Sequence, residues 1–256
     1  MVMSPRLLRP RQTSFTPTDS DARTYVAAVE AADGQKLENA VKRAINDFVI
    51  GAKADGVWSA IKASCILMGA RTLSGALTPL VGSAPTNNGP FVSGDYNRKT
   101  GLIGDGSTKW LDSKRACNAD PQNNCHVSFF ASTADNSANR SYFRTNLKIA
   151  VATGSTISSG INFSSLASHA NINNQTFFGL SRSLAASYER RLNGSTSTIS
   201  DTSATPSSAT LNFYRRETAS QYSQARLAFY SMGEALDLAL LGARVSTLFT
   251  AIGAAI

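Results

Sequence analysis

The stretch Gly94–Ser113, GDYNRKTGLIGDGSTKWLDS, decides the fold. It reads as two short strands around a glycine-rich turn, closing in an alternation of buried and exposed side chains. Upstream of it apolar residues recur every three or four positions; downstream they alternate with polar ones until the last twenty residues. The change of period from 3.6 to 2 near Phe91 separates helix from sheet.

Working back from that stretch, residues 1–18 form an extended basic arm. Arg6, Arg9 and Arg11 stand among Pro5, Pro10 and Pro17, and prolines at these intervals disfavour helix. Asp19, Ser20 and Asp21 are N-cap candidates for a helix through Ala32, with Asp33-Gly34 as its stop. A second helix is predicted from Lys36 to Ile50, with Leu37, Val41, Ile45 and Phe48 on one face and Gly51 ending it. VWSAIKA (57–63) reads as one or two helical turns, Cys65–Met68 as a short strand, Thr72–Val81 as a short helix and Ser83–Pro90 as a loop. Residues 19–90 are thus expected to be a helical segment packed on a sandwich.

Working forward, residues 91–256 are expected to be the sandwich with a closing helix. Phe143, Thr145, Leu147, Ile149 and Val151 alternate with Arg144, Asn146 and Lys148, and Val127, Phe129 and Ala131 form a similar inward set, as do Leu211 and Phe213. Asn193-Gly194, between ASYERRL and STSTIS, is a strong hairpin signal, because both turn residues must take positive φ. Many short strands with no helix between them mean an antiparallel sandwich. At the end, Leu227 and Phe229 belong to a strand, Gly233 breaks it, and Asp237 caps a helix to residue 253. Its stripe of Leu238, Leu241, Val245, Leu248 and Ile252 must be covered, by the sandwich or by another subunit.

The 256 residues are 42% hydrophobic and only 16% charged, with a net charge of +8. Residues 140–226 hold nine Lys/Arg (Arg140, Arg144, Lys148, Arg182, Arg190, Arg191, Arg215, Arg216, Arg226) against Glu189, Asp201 and Glu217. Such a surface is either a solvated face or an attractor of anionic partners. Arg244, with the serines and threonines around it, argues against a membrane span in the last helix. No secretory leader is read at the N-terminus, where arginines interleave with prolines. Three cysteines make no complete disulfide framework; Cys117 and Cys125 bracket NADPQNN and either pair or stay free thiols, as in a reducing cytoplasm.

No catalytic, cofactor or metal site is expected. A glucanase needs two carboxylates across the scissile bond, and none of Glu30, Glu38, Glu189, Glu217 and Glu234 has an acid two residues away on a strand. Cys125 and His126 would point to opposite faces of a strand, and His169 stands apart, so neither zinc nor a nucleophile dyad is indicated. GLIGDGS lacks the Lys-Ser/Thr ending of a phosphate loop. Asp95, Asp105 and Asp112 are either turn residues or calcium ligands. Trp110, Tyr142, Tyr188, Tyr214 and Tyr222 are available for stacking on sugars, without marking a site. Nucleic-acid binding has charge but no motif, and is not expected.

Two segments carry a resemblance. GLIGDGSTKWLD (Gly101–Asp112) and FYSMGEAL (Phe229–Leu236) resemble the segments that open and close the concanavalin A-like (laminin-G-like) jelly roll of bacteriophage proteins, and MSPRLLRP is similar to their N-termini. The resemblance covers roughly residues 55–256. It implies a jelly-roll virion component made in the host cytoplasm and located in the virion. Its expected place is a tail fibre or tail-associated binding module, with head decoration or a lectin-like adhesin for host surface glycan as alternatives. Relatives of the wider fold bind or hydrolyse glycans. The implied partners are other tail or capsid proteins, further copies of the chain and host glycan, with no membrane. Arg6, Arg9 and Arg11 are the candidate docking residues of the arm, and Leu238, Leu241, Val245 and Leu248 those of the closing helix.

Overall fold

In the computed structural model the described residues are 14–137, 140–144, 148–151, 157–216 and 221–256, with backbone only for 144 and 148–151. Helix α1 (Ser20–Asp33) is capped by Asp19, whose side chain accepts from the amides of Asp21 and Ala22, and it ends on Gly34 at φ 67°. Helix α2 (Asn39–Ala54) starts later than predicted and runs through Gly51 instead of stopping there. Gly51 answers to a neighbour: a Cβ there would lie 2.7 Å from the Arg244 guanidinium, which reaches across to bind Asp55 at 2.7 and 2.9 Å.

The sheet begins thirty residues before the change of period. A 3-10 turn at Trp58–Ala60 leads into β1 (Ile61–Ile66); α3 (Leu73–Ala76), β2 (Pro79–Val81) and β3 (Thr86–Asn88) follow. Residues 61–88 were expected to be mostly helix and loop. β1 runs between two other strands and is almost wholly buried, so no alternation betrays it.

The anchoring stretch then carries the chain from one sheet to the other. A 3-10 turn at Ser93–Asp95 precedes β4 (Tyr96–Asn97) and β5 (Gly101–Ile103), both in the first sheet; β6 (Trp110–Ala116) is in the second. Gly101, at φ 101°, passes so close to β16 (Arg226–Gly233) that a Cβ would lie 2.1 Å from the Leu227 carbonyl oxygen. Asp105 closes the crossover by accepting from the amides of Ser107, Thr108 and Lys109. Burial would raise this carboxyl, but those bonds and the Thr108 hydroxyl hold it well below the usual carboxylate range.

The remaining strands are β7 (Cys125–Thr133), β8 (Ser141–Arg144), β9 (Lys148–Val151), β10 (Ile157–Gly160), β11 (Ala167–His169), β12 (Thr176–Arg182), β13 (Ser187–Leu192), β14 (Ser195–Ser200) and β15 (Thr210–Phe213). All pairing is antiparallel. The nine-stranded sheet runs β14-β13-β12-β7-β16-β1-β2, with β5 on β16 and β4 on β5; the seven-stranded sheet runs β11-β10-β9-β8-β15-β6-β3. The single alternating strand expected over 143–151 is two strands, in which Phe143 faces Ile149 across the pair. Asn193 and Gly194 take φ 50° and 85° between β13 and β14, the turn that the sequence predicts.

Two cores result. Phe129, Phe178, Phe213 and Tyr230 lie between the sheets, and Phe130, Phe177 and Phe229 lie between the nine-stranded sheet and the helices. Both faces of β7 are therefore apolar. The helical layer is α1, α2 and the closing α4 (Leu238–Ala255), which passes over β12 and against α2.

Helix α4 is long and apolar enough by composition to cross a membrane. In the fold its stripe is spent within the chain: Leu238, Leu241, Val245 and Leu248 are all buried against the sheet and α2. They are not a docking surface for a partner. The physical reason is that a nine-stranded sheet exposes a second apolar face, which only this layer covers. Asp237 caps α4, accepting from Ala239 and Leu240 at 2.7 and 3.0 Å. Asp237→Ala should lower the unfolding free energy by about 1 kcal/mol in urea titrations.

Of the arm, residues 14–18 lie on the chain's own helices. The Phe15 amide donates to Asn39 (2.8 Å), the Thr18 amide donates to Asn46 (2.9 Å), and Arg43 stacks 4.2 Å above the Phe15 ring. Arg6, Arg9 and Arg11 lie outside the described residues.

Candidate functional site: the outer face of the seven-stranded sheet

Leu111 on β6 and Phe213 on β15 point into the inter-sheet core, so alternation sets their neighbours Asp112 and Asn212 on the opposite face, with the half-buried Trp110 at the start of β6 also packing against that core. Register brings them together. Asp112 pairs with Thr86 on one side and Asn212 on the other, and Trp110 pairs with Asn88. One small surface therefore carries an indole, a carboxylate, two amides and a hydroxyl.

A hairpin stem rises beside it. Tyr214 sits at φ 68°, uncommon for a bulky residue. It is held there by its buried ring and by its hydroxyl, which donates to the Leu102 carbonyl at 2.6 Å. This bend turns the chain outward, so that Arg215 bridges to Tyr222 and the amide of Arg216 donates to the Gln221 carbonyl. The Arg215 guanidinium lies 4.6 Å from the Trp110 ring centre and 5.8 Å from that of Tyr222. Cation–π attraction to both rings helps to hold the guanidinium in place. Arg216 donates to Gln221 Oε1 (3.1 Å). Arg140 donates to the carbonyls of Gly106 (2.6 Å) and Tyr222 (3.4 Å), which places a third guanidinium at the base of the stem.

Asn212 is the unusual member. It is 6% exposed, and its Oδ1 has no hydrogen-bond partner. A buried amide oxygen without a donor is costly, and it favours a ligand that brings one.

Of the five aromatics read as available for sugars, Trp110 and Tyr222 are half-buried on this face. Tyr142, Tyr188 and Tyr214 are core residues, with hydroxyls bound inside the protein. The nine cations of residues 140–226 do not share one face. Arg182 is wholly buried, Arg226 ties down the Asp95 and Gly101 carbonyls, and Arg191 binds Thr196. Among the described side chains, those of Arg140, Arg215 and Arg216 gather at the stem.

The other candidate groups are engaged separately. Asp95 accepts from the Val92 amide and Lys109, Asp105 closes its turn, and Asp112 accepts from the Lys114 amide; each acts as a local acceptor. Among the described residues no group of three His, Cys, Asp or Glu could hold a metal ion. Glu30 pairs with Lys36 and Lys42, Glu38 with Arg71 and Arg98, and Glu234 with Lys62. Cys65, Cys117 and Cys125 are buried, and none of them is joined in a disulfide. Cys125 faces the inter-sheet core, whereas His126 faces the other way; its Nδ1 donates to the Glu234 carbonyl (2.6 Å), and its Nε2 accepts from Ser231 (3.0 Å). This Ser–His contact was not foreseen from the sequence. It is sealed, with His126 2% and Ser231 0% exposed.

Neither a family model nor a curated protein matches the sequence. Among solved structures the chain is similar to a mutant of Trypanosoma rangeli sialidase displaying trans-sialidase activity, with TM-score 0.51 and 8% identity over 82% of this chain. The match spans 39% of the sialidase chain. Also similar are a domain of a Geobacillus stearothermophilus GH43 arabinanase in complex with arabinotriose (TM-score 0.36, 11% identity, 54% of this chain and 72% of that one) and the botulinum neurotoxin serotype D binding domain (0.38, 11%, 57% and 41%). The first of these shows a shared β-sandwich fold.

Proposed function

We propose that this chain is a non-catalytic, lectin-like binding module that takes a glycan on the outer face of its seven-stranded sheet. The observation that carries the reading is the row Trp110–Arg215–Tyr222 set in register beside Asp112 and the unpartnered Asn212 oxygen. Sugars present an apolar ring face and a rim of hydroxyls, and this surface offers rings for the one and both donors and acceptors for the other.

The setting we propose is a phage particle, with the module at the tail and host surface glycan as its target. That setting rests on the segments Gly101–Asp112 and Phe229–Leu236. Their residues here serve the fold: Gly101 and Asp105 build the crossover, while Ser231 and Gly233 lie in β16 beneath the helices. Labelled antibody on intact virions separates a tail position from head decoration.

The test of binding is a glycan array followed by titration of the best ligand. Trp110→Ala should weaken binding by about 5- to 30-fold, the loss of one stacking partner being worth about 1–2 kcal/mol, while leaving the melting temperature within a few degrees. An array with no carbohydrate retained would sink the proposal.

A further inference from the structure

We infer that a second copy of this chain docks on strand β14, pairing antiparallel with the same strand across a twofold axis, so that the two nine-stranded sheets run on as one. Among the described residues, the free sheet edges belong to β14, β2 and β4 in the nine-stranded sheet and to β11 and β3 in the other. An open edge is a template for pairing with another chain, and proteins blunt it by shortness, proline, charge or a bulge. β2, β3 and β11 are three residues long and β4 two, and β2 carries Pro79. β14 has none of these devices. Its six residues, STSTIS, hold neither charge nor proline, and they pair with β13 from Ser195 to Ser200 without a shift of register.

The turn fixes which backbone groups are left over. Asn193 and Gly194 both take positive φ, so the hairpin closes in a two-residue turn whose flanking pair, Leu192 and Ser195, is hydrogen-bonded. Alternation then directs the N–H and C=O of Thr196, Thr198 and Ser200 away from β13. Among the described residues these groups meet no other backbone partner. Ser195, Thr196, Ser197, Thr198 and Ser200 are exposed, on both faces of the sheet. Neither the helical layer nor the seven-stranded sheet therefore stands in the way of an incoming strand.

The occupant that fits is the same strand. A twofold axis normal to the sheet at Thr198 puts Thr198 opposite its own copy and Thr196 opposite Ser200, each pair exchanging both of its bonds. STSTIS offers a charged strand no countercharge, whereas its own copy needs none. The hydroxyls of these residues line up on one face, and threonine and serine are favourable cross-strand partners. The symmetry also closes: each copy uses its open edge on the other, and the assembly stops at two. Such an axis leaves both seven-stranded sheets on the same side of the dimer. With the proposed glycan face, that arrangement presents two sites in one direction and adds avidity; the pairing itself does not rest on that reading.

Sedimentation velocity of the full chain, from micromolar to near-millimolar protein, should show the mass rising toward that of two copies, because a single strand pair is a small contact of modest affinity. Thr198→Lys sets two ammonium groups against each other at the axis. It should weaken dimerisation about tenfold or more, while the melting temperature of the dilute monomer stays within a few degrees of wild type. Thr198→Cys should cross-link two copies in oxidised glutathione, since the Cα atoms of a hydrogen-bonded pair lie about 5.5 Å apart, inside the roughly 4.4–6.8 Å that a disulfide spans. Cys65, Cys117 and Cys125 are buried and do not compete. Thr196→Cys, which faces Ser200 of the other copy, should stay uncross-linked.

A protein that remains monomeric throughout would overturn the inference. So would a dimer indifferent to Thr198→Lys, or one that cross-links through Thr196→Cys and not through Thr198→Cys.

Discussion

Arg182→Ala should cost this protein about 3–5 kcal/mol, the loss expected when one partner of a buried ion pair is removed. That is a large part of a typical domain's stability of about 5–15 kcal/mol. Among the described residues Arg182 is the largest fully buried side chain, with none of its surface exposed. Its Nη2 bonds Asp201 at 2.9 Å, its Nε donates to the Ile161 carbonyl at 2.9 Å, and Nη1 is shared among the carbonyls of Leu184, Ala185, Ser187 and Asp201. One guanidinium thus joins the end of β12 to the connection before β13, the segment after β14 and the end of β10. Alanine would orphan those carbonyls and strand the Asp201 charge. Urea unfolding should show the lowered midpoint, and a shift below about 1 kcal/mol would contradict the assignment. The double variant Arg182→Met/Asp201→Leu should recover part of the loss, because no buried charge then remains unpaired.

Asp201 adds a pH dependence of known sign. Burial alone would raise its carboxyl, but bonds from Ser164 and Ser165 and the Arg182 charge outweigh burial and hold it below its ordinary value of 3.8. A depressed carboxylate stabilises the fold above the unfolded value, and that contribution is lost as pH falls from there through the folded one. The destabilisation from Asp201 therefore belongs below about pH 4.

What was legible in the sequence was local. Asp19, Gly34, Asp237 and the Asn193-Gly194 turn each act within a few residues of themselves, and each does what its chemistry indicates. Gly101–Ser113 was readable as strand, turn and strand, but its crossing between sheets was not, because the partners Leu227 and Ser223 lie more than a hundred residues away. Of β1 only the end, Cys65–Ile66, was read as strand, because a strand covered on both faces shows no alternation. Gly51 misled because it accommodates Arg244, from a helix nearly two hundred residues on. The candidate site was hidden for the same reason. Trp110, Asn212, Arg215 and Tyr222 converge through strand register and one left-handed tyrosine, and the same list of aromatics contained three core residues that no local pattern distinguishes. The only sequence signal was the alternation around Leu111 and Phe213, which could have placed Asp112 and Asn212 on the outer face together.

The two histidines should make the protein sensitive to acid in a different and higher window. Burial pushes the His126 imidazole down to about 4; the bond to the Glu234 carbonyl opposes that shift, and Arg115 adds to it. Burial likewise pushes His169 down to about 4, the Ala170 carbonyl opposing and the Arg190 charge adding. In both, the fold holds the neutral ring, while the unfolded chain takes up a proton near its ordinary value of 6.5. As pH falls below 6.5 the unfolded state therefore binds more protons than the native one, and stability declines until pH reaches about 4. A depression of this size corresponds to about 3 kcal/mol for each ring, at roughly 1.4 kcal/mol per pH unit. His126 matters more to the architecture, since it joins Glu234 to Ser231, and Ser231 in turn reaches Ser128 at 2.7 Å beneath the helical layer. Urea titrations at pH 7, 5.5 and 4.5 should show unfolding free energy falling across the series, with Glu30 and Glu38, whose carboxyls are held below the ordinary 4.5, adding to the fall only near the last of these. His126→Gln should start from a lower stability at pH 7 and lose about half of the slope, with His169 supplying the rest. A wild-type free energy that stayed level from pH 7 to 4.5 would mean that neither imidazole is held neutral by the fold.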